Sequence, residues 1–225
     1  IMSVERTRAI VLRRTSYGEA DREVRMITPV GQRSVMAKGV RREKSKLAGG
    51  IELFAISDVV INSGKGELGI LTSARLIQFY RHILEDYDRL QFGYEAINLV
   101  AKASENIDEP DWYGALSEVY MALDVLTIPL DLVKTWFYIH YAELSGYELN
   151  LTHDVSGQKL DSEKTYMYDT EERGFRHAEQ GDITADHIKV LRIIATKPIQ
   201  TVIQVGGIGQ LLSDCWLIAR QHASV

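Results

Sequence analysis

Near residue 80 the spacing of apolar residues changes from alternation to three- and four-residue steps, and that change bounds what the chain can fold into. Before it, residues 7–16 alternate, with Ala9 and Val11 on one face and Ile10 and Leu12 on the other. A second run, 22–28, closes on the turn Thr28-Pro29-Val30-Gly31. Residues 32–38 follow, then 51–62, rich in Ile, Val and Phe, and then 67–74 beyond the turn Asn62-Ser63-Gly64-Lys65-Gly66. Five strands with no helical interval among the first four predict a small closed barrel rather than a doubly wound sheet. Five is the strand count of an OB-fold, although an SH3-like barrel would give a similar string.

Beyond residue 80 the pattern is helical. Ile83, Tyr87, Leu90, Tyr94, Ile97 and Val100 share one face of a helix expected over 82–105. Further helices are expected over 111–126, from Pro129 to Gly146, over 184–196 and over 209–222. Their aromatics, among them Trp112 and Trp136, read as bundle core. Between helices lies a polar insertion at about 147–183, with a small hairpin expected around 164–168 and 174–177. The expected fold class is thus α+β: an N-terminal five-stranded OB-fold barrel, 1–80, then an all-helical C-terminal domain, 81–225, carrying the polar hairpin insertion.

The most distinctive local feature is Lys38-Gly39-Val40-Arg41-Arg42-Glu43-Lys44-Ser45-Lys46, five cations in nine residues on an acidic chain of net charge −5. Residues 1–80 carry 14 Lys+Arg against 8 Asp+Glu, and residues 81–225 carry 12 against 23. A basic cluster on an acidic chain is a local electrostatic device, and nucleic acid is its commonest polyanion. Charge alone does not separate DNA from RNA or a membrane surface.

Motifs for covalent chemistry do not assemble. Gly64-Lys65-Gly66-Glu67-Leu68-Gly69 fits a dinucleotide fingerprint, but that site needs a helix next, and Ile70-Leu71-Thr72 reads as strand. Ser156 and Lys159 fit S-x-x-K inside the insertion, without a nucleophile's surroundings. Cys215, the single cysteine, excludes an internal disulfide and reads as a buried small hydrophobe. His153, Asp154, His177 and Glu179 gather in the insertion at spacings too loose to specify a metal site. No apolar run approaches the roughly 20 residues of a membrane span, and the first residues lack a signal peptide's apolar core. A cytoplasmic binding protein without catalysis or cofactor is expected. An RNA-binding OB protein is the alternative, followed by an enzyme using the Gly-rich turn or the insertion.

Several stretches together resemble the bacterial recombination mediator family RecO. They are Ala9-Ile10-Val11-Leu12-Arg13, Tyr17-Gly18-Glu19-Ala20-Asp21, Thr28-Pro29 with Gly31, Ala37-Lys38-Gly39-Val40-Arg41-Arg42 with Lys44-Ser45, and Leu71-Thr72-Ser73-Ala74-Arg75-Leu76-Ile77. The resemblance is strong over about 7–80 and weaker in the helical half, where Leu144-Ser145-Gly146-Tyr147 precedes the insertion. It implies an OB-fold on a helical domain, and no enzyme. It also implies binding of single- and double-stranded DNA, annealing of complementary strands, a RecR partner, recognition of the acidic tail of single-strand-binding protein, and help in loading recombinase. The DNA-facing positions it implies are Lys38, Arg41, Arg42, Lys44 and Lys46, with Arg13, Arg14 and Arg33 as a second set. Many relatives carry a four-cysteine zinc site in the insertion; residues 151–181 contain no cysteine, so a zinc-free version is expected, with hairpin pairing and local packing in place of the metal.

Overall fold

The computed structural model describes residues 2–66, 68–105 and 111–224. Strands β1 (Ser3–Tyr17), β2 (Asp21–Thr28), β3 (Gly31–Ala37), β4 (Ala55–Ser63) and β5 (Gly69–Phe79) close into a barrel in the order β1-β2-β3-β5-β4. Every neighbouring pair is antiparallel except β3 with β5, which meet in parallel through Val35 opposite Gly69 and Met36 opposite Ile70. This is an OB-like arrangement, and with the helices that follow the chain is α+β.

β1 closes the barrel because it is long enough to serve two partners. Its first half pairs with β4 (Ser3 to Ala9), its second with β2 (Ile10 to Tyr17), and a bulge between Val11 and Arg13 bends it between the two. The alternation in the sequence then sorts the side chains. Val11, Val24, Met26, Val35, Val59, Ile61 and Leu71 fill the interior, while Ile10 and Ile27, paired across β1 and β2, face outward and are still fully buried.

What buries them is α1 (Tyr87–Ala103) and α2 (Trp112–Asp124), which pack on β1 and β2. Gln32 of β3 donates its side-chain amide to Ala101 O (3.0 Å) and Ser104 Oγ (3.0 Å) at the end of α1. Buried Arg89 of α1 donates to Leu123 O (3.0 Å), placing a cation at the C-terminus of α2. The chain accordingly divides into compact units at 1–124 and 125–225. The expected boundary near residue 80 marks the change of period but falls inside the first unit, because the barrel's outer apolar face needs both helices to cover it. Counted by units, residues 1–124 carry 17 Lys+Arg against 18 Asp+Glu, and 125–225 carry 9 against 13. The basic character is therefore a property of one loop and some strand faces, not of a whole unit.

Two element boundaries differ from expectation for local reasons. The strand expected from residue 51 begins at Ala55, because Phe54 takes a left-handed φ of 57° and turns the chain. Its ring is packed edge-on against Tyr94 (5.2 Å) and beside Tyr120 (5.6 Å). The helix expected from residue 82 begins at Tyr87, after a 3-10 turn at Arg81–Glu85, because Asp86 accepts Arg89 N–H (3.0 Å) as an N-cap.

In the second unit α3 (Leu130–Leu144) packs on α6 (Leu212–Ala223), with α4 (Ala185–Thr196) and α5 (Ile199–Val202) beside it. Gly146 ends α3 with φ 88°, and Tyr147 N donates to Ala142 O (2.9 Å), a Schellman closure. The insertion follows and carries the hairpin of β6 (Tyr166–Asp169) and β7 (Gly174–His177), with Tyr166 and Phe175 fully buried.

Candidate nucleic-acid interface

The basic loop joins β3 to β4 and is fastened at both ends. Val40 and Ile51 are buried in the barrel core, with Leu47, Ala48 and Leu53 packed against it. Gly50 lies so close to β5 that a Cβ there would stand 2.2 Å from Ala74 O. Lys38, just before these anchors, and Arg41, Arg42, Lys44 and Lys46, between them, are all exposed. Lys38, Arg42, Lys44 and Lys46 form no ion pair among the described residues. Short turns inside the loop, Arg42 N to Gly39 O (3.1 Å) and Ser45 N to Arg42 O (3.0 Å), hold its backbone.

The loop is also tied to the β1–β2 turn, where Tyr17-Gly18-Glu19-Ala20-Asp21 sits. Gly39, at φ 65°, donates its N–H to Asp21 Oδ1 (2.6 Å). Arg41 N donates to Ala20 O (2.9 Å) and its guanidinium to Gly18 O (3.1 Å). Two stretches distant in the sequence thus form one surface. That surface includes Tyr17, 60% exposed, which charge-based reading passed over. An exposed aromatic beside unpaired cations is the arrangement on which bases stack while phosphates are neutralised. Only the spacing of the two stretches around one hairpin could have pointed to it.

The second set of cations divides. Arg13 is exposed on β1, opposite Arg25, whose charge Glu105 offsets at 3.5 Å. Arg14 is part-buried and reaches Ile51 O (3.5 Å) and Glu52 (3.6 Å), bracing the end of the loop. Arg33 pairs with Glu5 through Nε (3.1 Å) and Nη2 (3.2 Å), a fork across the barrel that ties β3 to β1. Arg14 and Arg33 are thus held by the barrel's own closure.

The other motifs resolve into structure. Gly64 and Gly66 lie in the β4–β5 connection and β5 follows as a strand, so the dinucleotide pattern lacks its helix; its Glu67 lies outside the described residues. Ser156 donates its hydroxyl to Asp154 (2.6 Å), and Asp154 also accepts Ser156 N and Gln158 N. Those bonds, the hydroxyl's first, hold the Asp154 carboxyl below the usual range. Among the described residues no group of His, Cys, Asp and Glu could hold a metal ion. Asp154 is occupied by its own turn, with Ser156 and Gln158 as its donors. Cys215 is buried, and burial above all pushes its thiol up to about 12, far from a nucleophile's range. Among the described residues no helix is long and apolar enough to cross a membrane.

Residues 2–80 match the family model for the N-terminal part of recombination protein O. A DNA repair protein RecO of Dehalococcoides mccartyi is 31% identical over 225 residues, covering 96% of this chain and 88% of the relative. The chain belongs to the RecO family. A RecO of Heliobacterium modesticaldum is likewise 31% identical, over 85% of this chain and 73% of its own length. That of Roseiflexus is 33% identical, over 66% of this chain and 52% of its own. RecO proteins are recombination mediators, not enzymes, and the family's role lies in DNA repair and recombination.

Proposed function

We propose that this RecO chain binds single- and double-stranded DNA through the loop 38–46 and the β1–β2 turn, and anneals complementary strands there. The observation that carries the reading is the anchored loop: exposed cations, four of them without an ion pair among the described residues, on a backbone fixed by Val40, Ile51 and the Arg41 bonds. Cations so placed neutralise phosphates and release counterions, which gives affinity without sequence preference. Two DNA strands repel each other as polyanions, and a surface that lowers their charge speeds their meeting. Lys38, Arg41, Arg42, Lys44 and Lys46 are the phosphate contacts, with Arg13 at the margin and Tyr17 as a stacking face.

Family membership supports the rest of the role: a cytoplasmic mediator that works with a RecR-like partner, meets the tail of single-strand-binding protein and helps load recombinase. Residues 1–124 are the DNA-binding unit and 125–225 serve contacts with proteins. A strand-annealing assay with complementary oligonucleotides tests the reading. Annealing faster than the uncatalysed reaction is expected, with structured RNA of equal length a poor competitor. No acceleration, or displacement of DNA by RNA at equal salt, contradicts it.

A further inference from the structure

A second cationic site lies elsewhere on the barrel. The outer faces of β1, β4 and β5 form a groove of about 510 Å³ lined by Arg6, Arg8, Asp58, Val60, Ser73 and Arg75. Strand register places these side chains in two adjacent cross-strand rows, Arg6–Val60–Ser73 and Arg8–Asp58–Arg75. Asp58 takes both of its neighbours, Arg75 at 2.7 Å and Arg8 at 3.4 Å. Arg6 forms no ion pair among the described residues.

Three arginines gather around one carboxylate that pairs with two of them, more cation than cross-strand pairing needs. Both pairs are solvent-open, with Arg8 58% and Arg75 73% exposed, and such pairs hold weakly. A phosphate can therefore exchange with Asp58 at little cost. Guanidinium forks suit phosphate oxygens, and side chains two apart on a strand repeat about every 7 Å. Between the arginines the lining is Thr7, Asp58, Val59, Val60 and Ser73, without an aromatic side chain, so it has little with which to anchor a peptide's large side chains.

We propose that this groove is a second phosphodiester-binding site, which holds a DNA strand separately from the loop. Arg8 and Tyr17 stand nine residues apart on β1, at most roughly 30 Å at the rise of a strand. One chain can then hold two short strands at once. The inference rests on reading the chain as DNA-binding.

The test titrates the full chain with an oligodeoxythymidylate of about six nucleotides, within the span one such barrel takes. The wild type is expected to bind two molecules. R6A/R75A should bind one, at the loop, with that site's affinity unchanged within about twofold and its salt slope unchanged, because no phosphate contact is lost there. D58N should tighten the second site severalfold, a gain that misfolding does not produce. A single molecule bound to wild type, with R6A/R75A and D58N both unaltered, overturns the inference. So does displacement of the second molecule by an oligoglutamate peptide as readily as by an oligonucleotide of equal charge, which would assign the groove to acidic peptides. The loop reading is separable: R42A/K44A should weaken the other site. If that variant binds as wild type does while R6A/R75A loses one molecule, the loop assignment fails and the groove stands.

Discussion

Replacing Gly50 with alanine puts a methyl group where β5 already is. The new Cβ would stand 2.2 Å from Ala74 O, 2.4 Å from its carbonyl carbon and 2.5 Å from its Cβ. Those atoms cannot step aside cheaply, because Ala74 is paired with Val59 and belongs to the barrel core. The backbone at Gly50 does not take a positive φ, so the alanine is refused by contact alone. Forcing an extra methyl into a packed site costs about 1–3 kcal/mol, and in a chain of this size each kcal/mol lowers the melting temperature by about 2–4 °C. The first unit should therefore melt roughly 2–12 °C lower in G50A. Gly49 is an internal control: a Cβ there meets nothing within 4 Å, and its φ is not positive either. G49A should be neutral or more stable by about 0.4–1 kcal/mol, through the unfolded chain. Because Gly50 secures the end of the basic loop beside Ile51, G50A should also weaken DNA binding while G49A leaves it unchanged. Thermal melts of the two full-length variants by circular dichroism, with DNA affinity measured in parallel, decide the matter. Equal melting temperatures, or greater damage from G49A, would refute the claim that this contact anchors the loop.

Residues 1–124 expressed alone should fold cooperatively and keep the loop's DNA affinity, whereas 1–80, with Ile10 and Ile27 uncovered, should aggregate; light scattering and melts of the two fragments check this. His222 donates from Nε2 to Tyr147 O (2.6 Å) and accepts from Tyr168 Oη at Nδ1 (2.8 Å), a neutral arrangement, and burial above all holds its pKa below the ordinary 6.5. The unfolded chain then takes up the proton first, so stability of 125–225 should be level above about pH 7 and fall as pH drops below 6.5; His222→Gln should remove that slope, and an unchanged slope would contradict the assignment. F175A removes a fully buried ring from the hairpin and should cost about 3–5 kcal/mol in denaturant melts. Chelator treatment should leave the wild-type melt unchanged, and one bound zinc per chain by elemental analysis would contradict the metal-free insertion.

The barrel was legible in the sequence because alternation such as Ala9, Ile10, Val11 and Leu12 survives in a strand that buries both faces. The hairpin of the insertion was expected around 164–168 and 174–177, and Tyr166–Asp169 pairs with Gly174–His177. The unit boundary was not: the cover that α1 and α2 give Ile10 and Ile27 is a tertiary fact, and the helical pattern beyond residue 80 is the same whether the helix packs on a strand or another helix. The cations divided in a similar way. Five consecutive-looking charges in one loop announced themselves, but the engagement of Arg33 by Glu5 and of Arg14 by Glu52 depends on barrel closure. The grouping of Arg6, Arg8 and Arg75 was hidden because only register brings β1, β4 and β5 together. Phe54 shows the same limit, since nothing in a run of β-formers marks a left-handed residue.

The most direct test of the central claim is the salt dependence of DNA binding by R42A/K44A, two exposed cations without ion pairs among the described residues. Each lost phosphate contact flattens the slope of log affinity against log salt by about 0.9 on duplex and 0.7 on single strands. The variant should lose up to about 1.8 units on duplex and 1.4 on single strands, equally for all sequences, with its melting temperature unchanged. A slope equal to wild type, or a loss confined to one DNA sequence, would contradict the assignment of this loop to the phosphate backbone.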